Sequence, residues 1–425
     1  MGAGTRALLK AHRKFNIPHP LLDAMRAEGG SQASTASKAK ADAAGGGLAG
    51  ELAGLLGALG GGAGNTNAAG AANAAGGDTA ATKAPKGAAS ASGKAPAKTS
   101  SAAGAKSTGT SGGSTNSTAG AAASNSTGTG TGTVAATPES GDVEYLAPVD
   151  IGGQTLNMDF DSGSSDLWVF STSLATASQT GHTNFDSAKS TSFKAISGAS
   201  FSISYGDGSG AAGTVGTDTV NIGGATVTGQ AIELATAVSQ SFVQDTQSNG
   251  LVGLAYSKLN TVKPTQQKTF IDNAQKTLAM PVFTADLRKN ATGAYTFGAI
   301  DSTKFNGSLT WAAVNTTNGF WQFSSSKFSV GTGAAMTSTG GQAIADTGTT
   351  LMLASSAIVN AYYSQVTGAT NNATVGGVVF PCNAVLPDLH VDVGGVYMAK
   401  IRGDDVNFSP VDAGATCKSP QISAR

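Results

Sequence analysis

Two short segments of the chain repeat one acidic pattern 185 residues apart. The first contains Phe160-Asp161-Ser-Gly-Ser, and the second contains Ala345-Asp346-Thr-Gly-Thr. In each copy an apolar run leads to an aspartate, a hydroxyl residue, a glycine and another hydroxyl residue. This duplication predicts a fold of two similar halves, each of which supplies one carboxylate to a single site.

The chemistry of paired carboxylates explains the residue types. Two carboxyl groups within hydrogen-bond distance do not both ionise readily, so the pair shares one proton and presents a base beside an acid. The base activates a water for attack on a peptide carbonyl, and the acid protonates the carbonyl oxygen. We therefore predict Asp161 and Asp346 as the catalytic residues, with no metal and no cofactor.

The residues that follow each aspartate suit a supporting role. Glycine tolerates the sharp turn that carries an acid out of its strand. The second hydroxyl of each motif, on Ser164 and Thr349, is expected to donate a hydrogen bond to an outer carboxylate oxygen. The predicted supporting residues are Ser162, Gly163, Ser164, Thr347, Gly348 and Thr349.

Further motifs extend the pattern. Besides the two acid motifs, the chain contains Phe201-Ser-Ile-Ser-Tyr205-Gly-Asp-Gly-Ser209, Trp168 and Leu251-Val-Gly253. With these motifs the chain resembles the pepsin-like aspartic endopeptidases of the secreted fungal type, over about residues 137 to 417. It departs from the commoner family pattern only conservatively in its first motif, because Ser162 keeps the hydroxyl of the usual threonine.

The resemblance implies a fold and further site residues. The fold is mainly β and bilobal, with two pseudo-symmetric lobes and a cleft between them. The segment around Tyr205 corresponds to the family's flap hairpin, with Trp168 as hydrogen-bond donor to the tyrosine. The element Leu251–Gly253 is expected to pack beside the first acid motif. The implied flap and substrate-binding residues are Tyr205, Gly206, Asp207 and Trp168.

Composition divides the chain. Residues 31–136 consist largely of Ala, Gly, Ser and Thr, which cannot bury enough apolar surface to offset the entropy of ordering. Later residues alternate apolar and polar side chains between glycine-rich turns, which predicts antiparallel strands. Two helices are expected, within 267–275 and 355–363. The predicted organisation is a basic propeptide-like segment (1–30), a disordered low-complexity region (31–136), an N-terminal lobe (137–320) and a C-terminal lobe (321–425).

Charge follows the same division. Residues 1–136 hold 12 Lys and Arg against 5 Asp and Glu, whereas residues 137–425 hold 14 against 21. A basic leader on an acidic body suits a zymogen, because ion pairs fail as carboxylates are protonated. Residues 6–18 resemble the start of the family propeptide, although a solvated basic helix explains them too. An acidic body without a basic patch argues against nucleic-acid binding, no membrane span is visible, and a monomer is the default expectation.

The cysteine pair and the termini complete the prediction. The resemblance implies a disulfide between Cys382 and Cys417 and a secreted protein; two buried free thiols are the alternative. No signal peptide follows Met1. The element Leu251–Gly253 ends 92 residues after the first acid, whereas 79 residues follow the second and contain no counterpart. A truncated C-terminal lobe is therefore expected, through a misplaced boundary in the deduced sequence or a truncated product.

Three functions are compatible with these features. The first is an acid endopeptidase, made as a zymogen, that cleaves extended polypeptides with a broad preference for hydrophobic residues and is inhibited by its own propeptide. The second is a catalytically inactive peptide-binding protein of the same fold, which an incomplete second lobe favours. The third is a Ser/Thr-rich structural surface protein, which leaves the duplicated acids unexplained.

Overall fold

The structure is a computed structural model that describes residues 130–206, 208–338, 341–372, 377–411, 416–418 and 422–424. The predicted propeptide-like segment, the low-complexity region up to residue 129 and Asp207 lie outside the described residues.

The described chain is built mainly from strands. Ten of them form one sheet: β1 (Gly132–Pro138), β2 (Tyr145–Ile151), β3 (Gln154–Asp161), β4 (Leu167–Val169), β5 (Lys194–Ser204), β6 (Gly210–Ile222), β7 (Ala225–Val238), β8 (Gly250–Gly253), β9 (Phe283–Arg288) and β10 (Ala291–Phe297). Smaller sheets contain β11 (Val314–Asn315), β12 (Gln322–Ser324), β13 (Lys327–Val330), β14 (Met336–Thr337), β15 (Gln342–Ile344), β16 (Leu353–Ser355), β17 (Thr370–Asn372), β18 (Gly377–Pro381), β19 (Leu389–Val393), β20 (Tyr397–Ile401), β21 (Ser409–Pro410), β22 (Thr416–Lys418) and β23 (Ile422–Ala424).

Short helices connect these strands. The α-helices among the described residues are α1 (Thr176–Gln179), α2 (Gln240–Gln244), α3 (Phe270–Ala274), α4 (Ser356–Tyr363) and α5 (Gly403–Val406). Helices α3 and α4 lie within the two segments where the sequence predicts helix. The mainly β prediction is confirmed.

Hairpin geometry orders the large sheet. Strands β6 and β7 pair antiparallel from Ala211 and Val238 down to Ile222 and Ala225. The two connecting residues, Gly223 and Gly224, have φ angles of 58° and 112°, which side-chain-bearing residues seldom adopt. The tight turn fixes the register, so the alternating apolar residues of both strands reach the same face.

Apolar side chains form separate cores in the two parts of the chain. The N-terminal cores include Phe160 and Phe297, whereas the C-terminal core begins at Phe328 and ends at Cys417. This division is the bilobal arrangement that the sequence predicts. The boundary predicted at residue 320 falls between Phe297 and Phe328 and stays a prediction.

A disulfide and a helix stabilise the C-terminal core. Cys382 and Cys417 form the disulfide that the family resemblance implies, with Cα atoms 4.8 Å apart. Helix α4 buries Ile358, Val359 and Tyr362 against this core, at the spacing that one face of a helix provides. The cross-link ties β22 to the chain that follows β18.

Strand β1 begins before the predicted start of the N-terminal lobe. Its residues pair with β10, from Gly132 opposite Phe297 to Ala136 opposite Gly293. Val134 and Ala136 are buried. Residues from Gly132 onward are therefore part of the packed sheet.

No helix among the described residues is long and apolar enough to cross a membrane.

Candidate active site

The first acid lies at the end of a central strand. Asp161 is the last residue of β3 and is 1% exposed. Strand β8 lies parallel to β3, with Asp161 opposite Gly253. The turn that follows returns the Gly163 N–H to the carboxylate, where it donates to Oδ1 at 2.8 Å. The expected packing of Leu251–Gly253 beside the first acid motif is therefore confirmed.

The second acid repeats this turn. Asp346 follows β15, and the Gly348 N–H donates to its Oδ1 at 3.0 Å. The Thr349 hydroxyl donates to its Oδ2 at 2.7 Å. Thus both carboxylates accept a backbone hydrogen bond from the glycine two residues later, and Thr349 makes the side-chain hydrogen bond expected of it.

The two turns interlock through their first hydroxyl residues. The Ser162 N–H donates to Thr347 Oγ1 at 3.0 Å, and the Thr347 N–H donates to Ser162 Oγ at 2.9 Å. Each hydroxyl then donates to a carbonyl across the same junction, Ser162 Oγ to Ala345 and Thr347 Oγ1 to Phe160. These four bonds, which we call the hydroxyl lock, hold the two acid turns in a nearly two-fold arrangement.

Each glycine lies directly against the acid of the opposite turn. A Cβ added at Gly163 would lie 2.6 Å from Asp346 Oδ1, and one added at Gly348 would lie 2.2 Å from Asp161 Oδ1. These distances are shorter than any non-bonded carbon–oxygen contact. The structure therefore brings both predicted acids to one site, and only glycine fits at both positions.

Ser164 differs from its counterpart Thr349. The Ser164 hydroxyl is buried and makes no hydrogen bond with a described residue, so the predicted bond to the Asp161 carboxylate is not formed. Serine lacks the methyl group that restricts threonine to fewer rotamers, so its hydroxyl is held less firmly beside the acid. The Ser164 hydroxyl therefore does not give the first carboxylate the support that the sequence predicts.

A hairpin carries the predicted flap tyrosine. Strands β5 and β6 pair through Ser204 and Gly210, and Tyr205 begins the connecting turn. The Trp168 indole N–H donates to the Tyr205 hydroxyl at 2.8 Å, as the family resemblance implies. Burial raises the pKa of Tyr205 well above its usual range, and the charge of Asp161 raises it further. The tyrosine therefore stays a neutral hydrogen-bonding group throughout acid and neutral pH.

The two acids differ in their surroundings. Strand β8 covers the side of Asp161, whereas β15 pairs only with β12 among the described residues. A cavity of about 610 Å³ opens beside Asp346, with Tyr145 and Met352 among its lining residues. Asp346 is half-buried, in contrast to Asp161.

Sequence reasoning missed the aromatic support of the flap. The Phe242 ring from α2 lies edge-on to Trp168, with centroids 4.9 Å apart, and edge-on to Tyr205 at 5.8 Å. The segment Gln240–Gln244 has no motif that marks it, because its role depends on contacts with strands far away in sequence. The fold places Phe242 against the flap, so only the structure identifies it.

Comparison with known proteins agrees with this geometry. The family model described as eukaryotic aspartyl protease matches residues 144–422. Penicillopepsin-1 of Penicillium rubens is 52% identical over 280 residues, covering 66% of this chain and 69% of the relative. Endothiapepsin of Cryphonectria parasitica is 52% identical, over 65% of this chain and 66% of the relative. Aspergillopepsin-1 of Aspergillus oryzae is 50% identical, over 67% and 70%.

These matches cover the part of the chain that contains both acid turns, the hydroxyl lock and the flap. The matched region spans about two thirds of the length of these curated relatives. The chain therefore belongs to the eukaryotic aspartyl protease family, a class of pepsin-type peptide hydrolases.

Proposed function

We propose that this protein is an endopeptidase that hydrolyses peptide bonds at acidic pH with Asp161 and Asp346. The observation that carries the proposal is the hydroxyl lock, together with the contact of each motif glycine with the opposite carboxylate. Preorganised geometry of this kind is what general acid–base catalysis requires. A protein that only bound peptides would not need two acids held together at one site.

The proposed reaction uses one proton shared by the pair. The ionised carboxylate removes a proton from a bound water, whose oxygen bonds to the carbonyl carbon of the substrate. The protonated carboxyl gives its proton to the carbonyl oxygen, which produces a neutral tetrahedral diol. When the carbon–nitrogen bond breaks, the leaving nitrogen takes up the proton of the pair and a hydroxyl of the diol gives its proton to the ionised acid, so one proton again lies between the two acids.

Extended polypeptides are the proposed substrates. The β-rich surface around the acids is proposed to pair with the backbone of an extended chain, and the hairpin that carries Tyr205 is proposed to close over that chain. Apolar neighbours such as Phe242 favour large hydrophobic residues at the cleavage site. Asp207, outside the described residues, is proposed to accept a lysine before the scissile bond. The substitution Asp207→Ser should lower cleavage of lysine-containing peptides without lowering cleavage of all-hydrophobic ones.

The N-terminal region is proposed to act as an inhibitory propeptide. Support comes from its 12 basic against 5 acidic residues, opposite to the acidic balance of the remainder. The cut that removes it is proposed to lie before Gly132, because β1 pairs with β10 and buries Val134 in the sheet. We propose a monomer that is exported, supported by the disulfide and by exposed glycosylation sequons at Asn290, Asn306 and Asn315.

Digestion of casein by the acid-treated chain tests the proposed function. Activity between about pH 3 and pH 5, blocked by a pepstatin-type inhibitor and absent from Asp161→Asn, is expected. Asp150→Asn is the matched control, because Asp150 lies one residue before the end of β2 and only accepts a hydrogen bond from the Gly153 N–H in the turn that follows. Activity that survives in Asp161→Asn would reject the proposal.

A further inference from the structure

A second pair of carboxyl groups lies behind the first acid turn. Asp166 lies directly before β4, in the segment that follows Asp161, and Glu233 lies in β7 opposite Trp168 of β4. The two residues are 0% and 1% exposed. Neither forms an ion pair with any residue in the described ranges. A buried carboxylate without a counter-charge is costly, so these two acids require another form of stabilisation.

Hydrogen bonds satisfy only one oxygen of each group. Asp166 Oδ1 accepts from the Thr261 N–H at 3.0 Å and from the Thr261 hydroxyl at 2.7 Å. Glu233 Oε1 accepts from Asn260 Nδ2 at 3.1 Å. The remaining oxygens, Asp166 Oδ2 and Glu233 Oε2, are buried and receive no donor from the described residues.

One donor connects the two carboxyl groups, because Asn260 Nδ2 lies 3.1 Å from Glu233 Oε1 and 3.5 Å from Asp166 Oδ1. Two carboxylates both accept and cannot bond, whereas a carboxylic acid donates to a carboxylate. One proton shared between Asp166 and Glu233 would satisfy both remaining oxygens at once. The alternative, two ionised groups, would leave both oxygens unsatisfied and two like charges in contact.

We propose that Asp166 and Glu233 share one proton and that this protonated pair positions the turn of the first catalytic aspartate under acidic conditions. The pair acts through its neighbours. Asn260 Nδ2, which donates to Glu233, also donates to the Ser165 carbonyl at 3.1 Å. The Asp166 carbonyl accepts from the Gly253 N–H at 2.9 Å. Through these two contacts, the end of β8 and the loop that follows it are held against the segment that follows Asp161.

The same pair supports the flap from behind. Glu233 pairs with Trp168 across β4 and β7, and Trp168 donates to the Tyr205 hydroxyl. On the other side of β7, Glu233 faces Val215 of β6, which carries no charge. Asp166 and Glu233 are thus positioning residues, since they act on the acid turn and the flap through other side chains.

The charged groups around the pair do not neutralise it. Tyr205, whose pKa is raised by burial and also by the charges of Asp166 and Glu233, is the titratable neighbour of the pair among the described residues, and it supplies no positive charge. The segment that carries Asn260 has two lysines, but Lys258 is exposed and donates to the Thr317 carbonyl, and Lys263 is exposed. A second ionisation would therefore find no cation nearby in the part of the chain that the structure describes.

The pH dependence has a definite sign. Burial, followed by the charge of Asp166, raises the pKa of Glu233 well above its usual 4.5. Burial also raises the pKa of Asp166, against the hydrogen bonds from Thr261. A raised pKa in the folded state gives stability that is complete below the unfolded-state pKa and is lost as the pH rises through the folded-state pKa. The N-terminal lobe is therefore stabilised in acid and loses that stabilisation towards neutral pH.

Glu233→Gln tests the proposal, because the amide donates to Asp166 Oδ2 without titrating. Unfolding on raising the pH is followed by tryptophan fluorescence of the full chain, in an Asp161→Asn background that prevents self-digestion. The midpoint is expected to rise by roughly one pH unit, because one proton-linked group no longer ionises. An unchanged or lower midpoint would overturn the proposal.

Asp218→Asn is the matched control. Asp218 is also buried, lies in the adjacent strand β6, and bonds to the Ser192 hydroxyl and the Thr219 N–H. It undergoes the same change from acid to amide but has no carboxyl partner among the described residues, so the unfolding midpoint of this variant is not expected to rise. An equal rise in this variant would show that any buried acid has the effect, which contradicts a specific pair.

An infrared measurement on the parent protein tests the shared proton even if Glu233→Gln does not fold. In the Asp161→Asn background, the carbonyl band of a protonated carboxylic acid should persist at about pH 6, where ordinary carboxyl groups are ionised. The band should disappear in Glu233→Gln and in Asp166→Asn, and its absence from the parent protein overturns the proposal. None of these measurements uses protease activity, so their outcome is separate from that of the proposed function.

Discussion

Thr347→Val removes one hydroxyl from the centre of the site and keeps the shape of the side chain. In the folded protein this hydroxyl accepts from the Ser162 N–H at 3.0 Å and donates to the Phe160 carbonyl at 2.6 Å. The reciprocal bond from the Thr347 N–H to Ser162 Oγ does not involve the altered group. The substitution therefore breaks half of the hydroxyl lock and leaves the other half intact.

The expected loss follows from the groups left without partners. Ser162 is 3% exposed, so its N–H loses its acceptor in a region closed to water, which costs about 1–3 kcal/mol. The Phe160 carbonyl keeps a long hydrogen bond from the Tyr295 hydroxyl at 3.4 Å, so losing the bond from Thr347 costs this carbonyl only about 1 kcal/mol. The two losses together should lower the free energy of unfolding by about 2–4 kcal/mol.

Urea unfolding at about pH 4, followed by tryptophan fluorescence in the Asp161→Asn background, measures this loss. Thr347→Ser keeps the hydroxyl and should recover most of the stability. Thr337→Val is the control at an exposed strand position, where a change within about 0.5 kcal/mol is expected. If Thr347→Val were as stable as Thr337→Val, the hydroxyl lock would not be holding the two lobes together.

Three further predictions concern the flap, the acid turns and the C-terminal lobe. Trp168→Phe removes the donor to the flap tyrosine, and kcat/KM for a peptide substrate should fall roughly fivefold, as expected for about 1 kcal/mol. Gly348→Ala places a Cβ against the first acid and should abolish peptide cleavage, whereas Gly377→Ala, where a Cβ meets open space, should leave cleavage unchanged. Hydrogen bonds from the backbone and hydroxyl of Ser326 lower the pKa of Asp392, so this carboxylate stabilises the fold above its usual pKa of 3.8 and loses that effect as the pH falls. Asp392→Asn should therefore lower the urea midpoint more at about pH 6 than at about pH 2, and an equal loss at both would contradict this.

The sequence was sufficient to predict the elements whose information is local. The acid turns and the helix at 356–363 each have a short pattern that specifies them, and the structure contains both. The hairpin with Tyr205 and the disulfide were also predicted, although only through resemblance to a family. These features depend on residue types at fixed spacing, which a sequence displays directly.

Features that depend on distant contacts could not be predicted in this way. Asp166 and Glu233 are separated by 67 residues of sequence, and they meet because β4 and β7 pair in parallel. Phe242 reaches the flap only because α2 packs against Trp168. The missing bond of Ser164 depends on a rotamer, which residue type restricts but does not determine. Each of these requires the register of strands and the packing of side chains.

The central claim is that Asp161 and Asp346 act as one catalytic unit. Its most direct test is to compare kcat/KM on one peptide substrate at about pH 4 for Asp161→Asn, Asp346→Asn and the double variant. Residues that act as a unit show strongly non-additive losses. The account predicts that each single variant loses as much activity as the double variant. It would be contradicted if either single variant kept substantial activity, or if the two losses multiplied in the double variant.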